Sequence, residues 1–211
     1  MVEILLEENS NINHCCLQEG NSTNWNIQNL ITFQQKNSNY KCSIIALSGH
    51  RNINEVYSNL IDEGAEIELD GLYIANEKAH RDNHTKIIHS SPQTFSKENF
   101  KGILTDSSSG VFNGLVVVKQ DAKKINSDQS NRNLLLSKTA RMNSNPQLEI
   151  YADDVKCTHG STTGQIDDDA LFYMRSRGIP EELATKILVK GFVSEIIDNI
   201  KFKSIQNYIN L

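Results

Sequence analysis

From Val2 to about Ile166 the apolar side chains come in short runs separated by Asn, Ser, Asp and Gly, the spacing of strands joined by turns. In NWNIQNLITF, Trp25, Ile27, Ile31 and Phe33 take odd positions and Asn24, Asn26, Gln28 and Thr32 even ones, which predicts a strand with its odd side buried. EIELDGLYI repeats the alternation, with Ile67, Leu69 and Tyr73 inward and Glu66, Glu68 and Asp70 outward. IALSG, TKIIHS, GILTD, GLVVVK, NLLLSK and LEIYA then follow one another without a helical segment between them. Strands in succession, with neither hairpin dipeptides nor crossover helices, point to a parallel β-solenoid. The period is poor, however: run centres are 13 residues apart between Ile103 and Val116 but 20 between Ile67 and Ile87. Regularity alone therefore leaves a β-sandwich open as the alternative.

After Gln165 the pattern changes to helical spacing. Asp167, Asp168 and Asp169 precede ALFYMRSRG, so acidic groups meet the positive end of a helix, Arg175 and Arg177 its negative end, and Gly178 supplies a left-handed stop. A second helix is predicted from Pro180, placed at the first helical position where its missing N–H costs nothing. Apolar residues at 183, 184, 187, 188, 192, 193, 196, 197 and 200 form a wide stripe, suited to packing on the chain's own β body or to docking a partner.

Composition narrows the class. The 211 residues are 38% hydrophobic and 22% charged, enough to bury a core and unlike a disordered chain. The net charge of −5, with no extended Lys/Arg cluster, argues against a nucleic-acid partner. No apolar run is long enough to cross a bilayer, so no membrane role is expected. The four cysteines, Cys15, Cys16, Cys42 and Cys157, form no CxxC pair and read as free thiols of a reducing compartment, the cytosol or an organelle stroma. A redox pair at Cys15–Cys16 is disfavoured by the strain of a vicinal disulfide. The first residues already read as a strand, so the chain is expected to open inside a longer architecture.

The densest reactive segment is LEIYADDVKCTHGSTTGQ. In strand geometry Asp153, Val155, Cys157 and His159 share one face, and Asp154, Lys156 and Thr158 the other. A thiol and an imidazole two residues apart suit zinc or iron but do not close a tetrahedral site, so further ligands must come from another chain or no stable site exists. A Cys157–His159 nucleophile and base, and a buried Cys beside a surface His, are the other readings. His80, His84 and His89 with Asp82 are a weaker cluster, better read as turn and strand histidines. HGSTTG has no Lys and no helix directly behind it, so it is not a phosphate-binding loop.

GVFNGLVVV, NRNLLLS, PQLEIYADDVKCTHGSTTGQ and DALFYMRSRGI stand in the order and approximate spacing of the C-terminal region of the SufB/SufD family, which the chain resembles. GAEIELDGLYI, DNHTKIIHS and KGIL extend the likeness upstream, and it thins before about Ser48. DDVKCTHG resembles the SufD branch, since the SufB branch carries a glutamate-containing segment in the matching place. The resemblance implies a right-handed parallel β-helix over residues 1–166 and a small helical domain over 167–211, with no catalysis of its own.

It further implies a scaffold role in iron–sulfur cluster assembly. On this resemblance the β-helix end is expected to pair with SufB and the helical domain to dock the SufC ATPase, with sulfur arriving from a cysteine desulfurase chiefly through SufB. Matched position by position, His159 corresponds to a histidine that contributes to nascent-cluster binding and Cys157 to the cysteine before it. The resemblance implies a transient iron–sulfur cluster in the complex and no stably held cofactor. Leu183, Ile187, Leu188, Phe192 and Ile196 become candidate SufC-docking residues. A metal- or thiol-dependent enzyme using Cys157 and His159, or a purely structural adaptor, are the competing functions. Family members carry further chain ahead of this region, so a fragment or a shortened protein is expected.

Overall fold

The computed structural model describes residues 1–209. Twelve strands precede three helices: β1 (Val2–Leu6), β2 (Asn11–Gln18), β3 (Trp25–Gln34), β4 (Asn39–Ala46), β5 (Arg51–Leu60), β6 (Glu66–Ala75), β7 (His80–His89), β8 (Phe95–Leu104), β9 (Ser109–Val118), β10 (Ile125–Leu135), β11 (Arg141–Ile150), β12 (Val155–Gly164), α1 (Asp168–Ser176), α2 (Glu181–Asn199) and α3 (Lys203–Tyr208). Odd-numbered strands form one six-stranded sheet and even-numbered strands the other, each in the order β1-β3-β5-β7-β9-β11 or β2-β4-β6-β8-β10-β12. All pairs are parallel. The chain is thus a solenoid of about six coils, each contributing one strand to each sheet.

That arrangement explains the irregular period. The repeat is the full coil: Val2 pairs with Leu30, 28 residues on, Trp25 with Arg51, 26 on, and Ser109 with Arg141, 32 on. Successive apolar runs mark half-coils, whose two connections differ in length. One connection is constant in form. Between each odd strand and the next even one stands a residue with positive φ: Asn9, Asn37, Gly64, Gln93, Lys124 and Asp154. Left-handed backbone is favourable for Gly and tolerable for Asn and Asp, but carries a steric cost at Gln93 and Lys124. Stacking holds the column in place: the Asn9 N–H donates to Lys36 O at 2.9 Å, Asn37 to Glu63 O at 3.0 Å, and Lys124 to Asp154 O at 2.8 Å.

In-register stacking also decides which face of a strand turns inward. β6 follows the alternation, burying Ile67, Leu69 and Tyr73. β3 reverses the expectation: Leu30, Thr32 and Gln34 lie inside, while Trp25 and Ile27 are 56% and 70% exposed. Leu30 must stack on Val56 and Thr32 on Ser58. The buried hydroxyls satisfy each other, Thr32 Oγ1 donating to Ser58 Oγ at 2.7 Å, so the polar pair does not enter the core unpaired. Outside, the Arg51 guanidinium lies over the Trp25 ring, 4.9 Å from its centroid.

The even-strand sheet is covered on both sides where β4, β6 and β8 meet the helical segment. Its outer face presents Ile45, Leu72 and Ile103 to Val193, Ile196, Ile200 and Ile209 of the helical segment, which is why β4 and β8 read as near-continuous burial rather than alternation. Lys101 locks the contact, its Nζ 2.8 Å from Glu195 and 3.0 Å from the Phe192 carbonyl. α1 is capped as its sequence predicts: the Asp167 carboxylate accepts from the N–H groups of Asp169 and Ala170. Gly178, at φ 84°, closes a Schellman motif with Gly178 N–H to Arg175 O and Ile179 N–H to Met174 O. Pro180 stands one place earlier than expected, extended just before α2, with its carbonyl accepting from Ala184 N–H at 2.9 Å. Among the described residues no helix is long and apolar enough to cross a membrane.

Two glycines give opposite expectations. A Cβ on Gly71 meets the buried Phe100 ring, whereas one on Gly191, in the interior of α2, meets nothing. Gly71→Ala is expected to destabilise by about 1–3 kcal/mol through overpacking. Gly191→Ala is expected to stabilise by about 0.5–1 kcal/mol through the lower backbone entropy of the unfolded chain. Urea unfolding midpoints check both signs.

Candidate functional site

Among the described residues β12 is the last strand of its sheet and pairs only with β10, and β11 likewise pairs only with β9. The residues of β12 that continue the inward-facing columns therefore lie on an open end. Cys157 stacks on Ser127 and His159 on Gln129, both of the latter fully inside. Cys157 is half-buried against the core and His159 exposed. Ser161 and Thr163 continue the row, Ser161 Oγ donating to Ser144 Oγ of β11 at 2.7 Å. HGSTTG runs as strand throughout, so it does not form a loop around an anion. Asp154 serves the turn, at φ 54°.

Alternate residues of a strand are separated by about 6.6 Å along the backbone, so Cys157 and His159 can offer two donors to one ligand without bonding each other. Among the described residues no third metal-ligating side chain joins them; the one three-residue group lies elsewhere. Burial raises the Cys157 pKa, so its thiol keeps its proton until a cation arrives to compensate the thiolate. Both features make the pair an incomplete donor set on an accessible edge. The adjacent row of unpaired β12 backbone groups is a template for strand addition from another chain.

Residues 1–192 match the family described as SUF system FeS cluster assembly, SufBD core domain. The chain belongs to the SufBD family. It is 34% identical over 204 residues to a Synechocystis iron–sulfur cluster assembly SufBD family protein, covering 97% of this chain and 45% of that one. It is 36% identical over 152 residues to the Escherichia coli iron–sulfur cluster assembly protein SufD, covering 72% and 36% respectively. The Arabidopsis thaliana protein ABCI7, chloroplastic, is 31% identical over 208 residues, 98% of this chain and 44% of that one. The chain thus spans less than half the length of these curated relatives, and it is SufD-like in sequence and solenoidal in fold.

The helical stripe divides between the two readings its sequence allowed. Ile196 is 0% exposed and packs with Ile45, Leu72 and Ile103, so as a partner-binding residue it must be struck out: its surface is already used inside the chain. Phe192 and Leu188 are half-buried, Phe192 against the same cluster. Leu183 and Ile187 remain 50% and 45% exposed.

The histidine cluster separates as well. His84 Nε2 lies 2.8 Å and His80 Nε2 4.0 Å from Asp82 on the outer face of β7. His89 is sealed inside, its ring nitrogens 2.7 Å from Thr94 Oγ1 and 2.9 Å from Ser96 Oγ. A grouping that sequence reading missed is His14, Cys16 and Cys42, whose ligand atoms all lie within 4.8 Å of one another at the opposite end of the solenoid. The signal was the coil length, since His14 and Cys42 are register partners 28 residues apart.

Directly beneath His159, Gln129 Nε2 donates to Glu98 Oε2 at 2.7 Å. Glu98 is fully buried, and burial raises its pKa to about 7, only partly opposed by Thr85 and Gln129. Because the folded state holds this proton more tightly than the unfolded chain, stability falls as pH rises from about 4.5 to about 7. The group then costs on the order of 3 kcal/mol above that range. Glu98→Gln should remove this slope, so that urea unfolding at pH 5 and pH 8 shows the variant gaining most at pH 8. An equal effect at both values contradicts the assignment.

Proposed function

We propose that the chain is a SufD-type scaffold subunit of the SUF iron–sulfur assembly system, made of a solenoid over residues 1–166 and a helical unit over 167–211. The open β11–β12 end pairs with SufB, and Cys157 and His159 supply part of the ligand set of a nascent cluster that SufB completes. The observation carrying this reading is the half-finished donor pair on an unpaired edge strand. Family membership supports it, and so does the similarity to the E. coli iron–sulfur cluster assembly protein SufD. An assembly scaffold must release its product, and a cluster whose ligands are split between two chains can be released by separating them. Thiolate and imidazole are both suited to iron. Burial raises the pKa of the half-buried Cys157 thiol, so it keeps its proton and resists disulfide exchange until a cation offsets the thiolate charge.

The exposed part of the α2 stripe, Leu183 and Ile187 with the flanks of Leu188 and Phe192, is the surface offered to the SufC ATPase. Ile196 and Val193 hold α2 on the solenoid, so a force applied to the helical unit is transmitted to β6 and β8.

His159→Ala should leave the complex with SufB and SufC intact while lowering its anaerobically determined iron and sulfide content and its transfer to a recipient apo-protein several-fold. Unchanged maturation would reduce the chain to a structural adaptor. Ile187→Glu should weaken SufC binding by more than about 2 kcal/mol, roughly 30-fold, with the chain's own unfolding midpoint unchanged because the side chain is exposed. Isothermal titration of the isolated partners reads the first quantity and urea unfolding the second.

A further inference from the structure

The end of the solenoid opposite the Cys157–His159 strip carries a second set of thiol and imidazole groups. His14 and Cys16 stand on one face of β2, and Cys42 on β4 is the register partner of His14. All three turn into the lumen, His14 and Cys16 half-buried and Cys42 buried. His14 Nε2 is 3.2 Å from Cys16 Sγ, and Cys42 Sγ is 3.9 Å from His14 Nδ1. The Nε2–Cys16 separation is close to the nitrogen–sulfur edge of about 3.6 Å set by a tetrahedron with metal–sulfur bonds of about 2.3 Å and metal–nitrogen bonds of about 2.05 Å, and one ligand atom from each of the three residues lies within 4.8 Å of the other two.

The surroundings fit the same chemistry. Tyr40 Oη lies 2.7 Å from His14 Nδ1. A proton on Nδ1 donated to that oxygen leaves the Nε2 lone pair facing the Cys16 thiol, the role that the outer partner of a ligating histidine plays. Gln28 Nε2 donates to Cys16 Sγ at 2.9 Å, a contact that stabilises a thiolate. Below Cys42 in the column comes Leu69, fully buried, which gives the group a dry floor. Cys15, next in sequence, points the other way and packs with the helical segment.

We propose that His14, Cys16 and Cys42 form a binding site for a thiophilic divalent cation of the zinc class, with the fourth position left to water or an exogenous ligand. Two thiolates and one imidazole select such a cation over magnesium or calcium, and three protein ligands match an open rather than a closed zinc site. Binding balances simply: the cation displaces the protons remaining on the two thiols to solvent, and no electron is transferred. The site is independent of the function proposed for Cys157 and His159.

Cobalt(II) titration of the reduced 211-residue chain carrying Cys157→Ala and His159→Ala tests it, since the Cys157–His159 strip then offers neither thiol nor imidazole. The expected result is one cobalt per chain, with a near-ultraviolet sulfur-to-cobalt charge-transfer band that zinc abolishes. Cys16→Ser or Cys42→Ser should weaken binding by at least about tenfold and diminish the band, with Cys15→Ser unchanged. Circular dichroism monitors folding of each variant. A second readout needs no change at the site: zinc should slow alkylation of Cys16 and Cys42 but not of Cys15. Absence of the band in the starting chain, its persistence in the serine variants, or alkylation unaffected by zinc overturns the proposal.

Discussion

The parallel backbone ladder between successive coils is the constraint from which the rest follows. Each strand finds its partner one coil away, and every odd-to-even turn repeats one left-handed residue, with the N–H of Asn9, Asn37, Gln93 and Lys124 bonded to the next turn. Once that column is in place, register is no longer free. A one-residue slip would bury the outer face and expose the inner one throughout a strand. Gln93 and Lys124 accept a backbone conformation unfavourable to their side chains because the ladder satisfies their N–H groups at 2.8 Å each.

The same ladder makes the ends of the solenoid chemically distinct from its middle. In the middle, a polar side chain can be buried because neighbours on the adjacent coil and the facing sheet take up its hydrogen bonds, as Asn83 and Gln18 do for Asn54. At an end that completion stops halfway. Cys157 and His159 stand in columns that continue downward to Ser127 and Gln129 and have no strand above. An unfinished column of donors invites a metal or another chain, and the family to which this chain belongs is named for iron–sulfur cluster assembly. The helical segment contributes by covering the outer face of the even-strand sheet at Ile45, Leu72 and Ile103.

How much of this was legible in the sequence depended on whether a feature was local. β6 could be read because its buried column, Ile67, Leu69 and Tyr73, is apolar. β3 could not, because its buried column includes Thr32 and Gln34, whose polar groups are satisfied only by residues 24 or more positions away. Asp167 and Gly178 announced the limits of α1 because capping is a contact among neighbours. Cys157 and His159 were visible as a pair two residues apart on one strand. His14 and Cys42 were not, since only the coil length brings them together. A search for Asn9, Asn37 and Gly64 as a recurring turn would have supplied that length.

We propose that a second subunit completes the strip at the open edge of β12. Hydrogen–deuterium exchange of the chain alone and in the presence of SufB measures this at the residues concerned. Slower exchange confined to Val155–Gly164 and the neighbouring end of β11 is the predicted result. Unchanged exchange on β12 in a complex that nevertheless forms contradicts it.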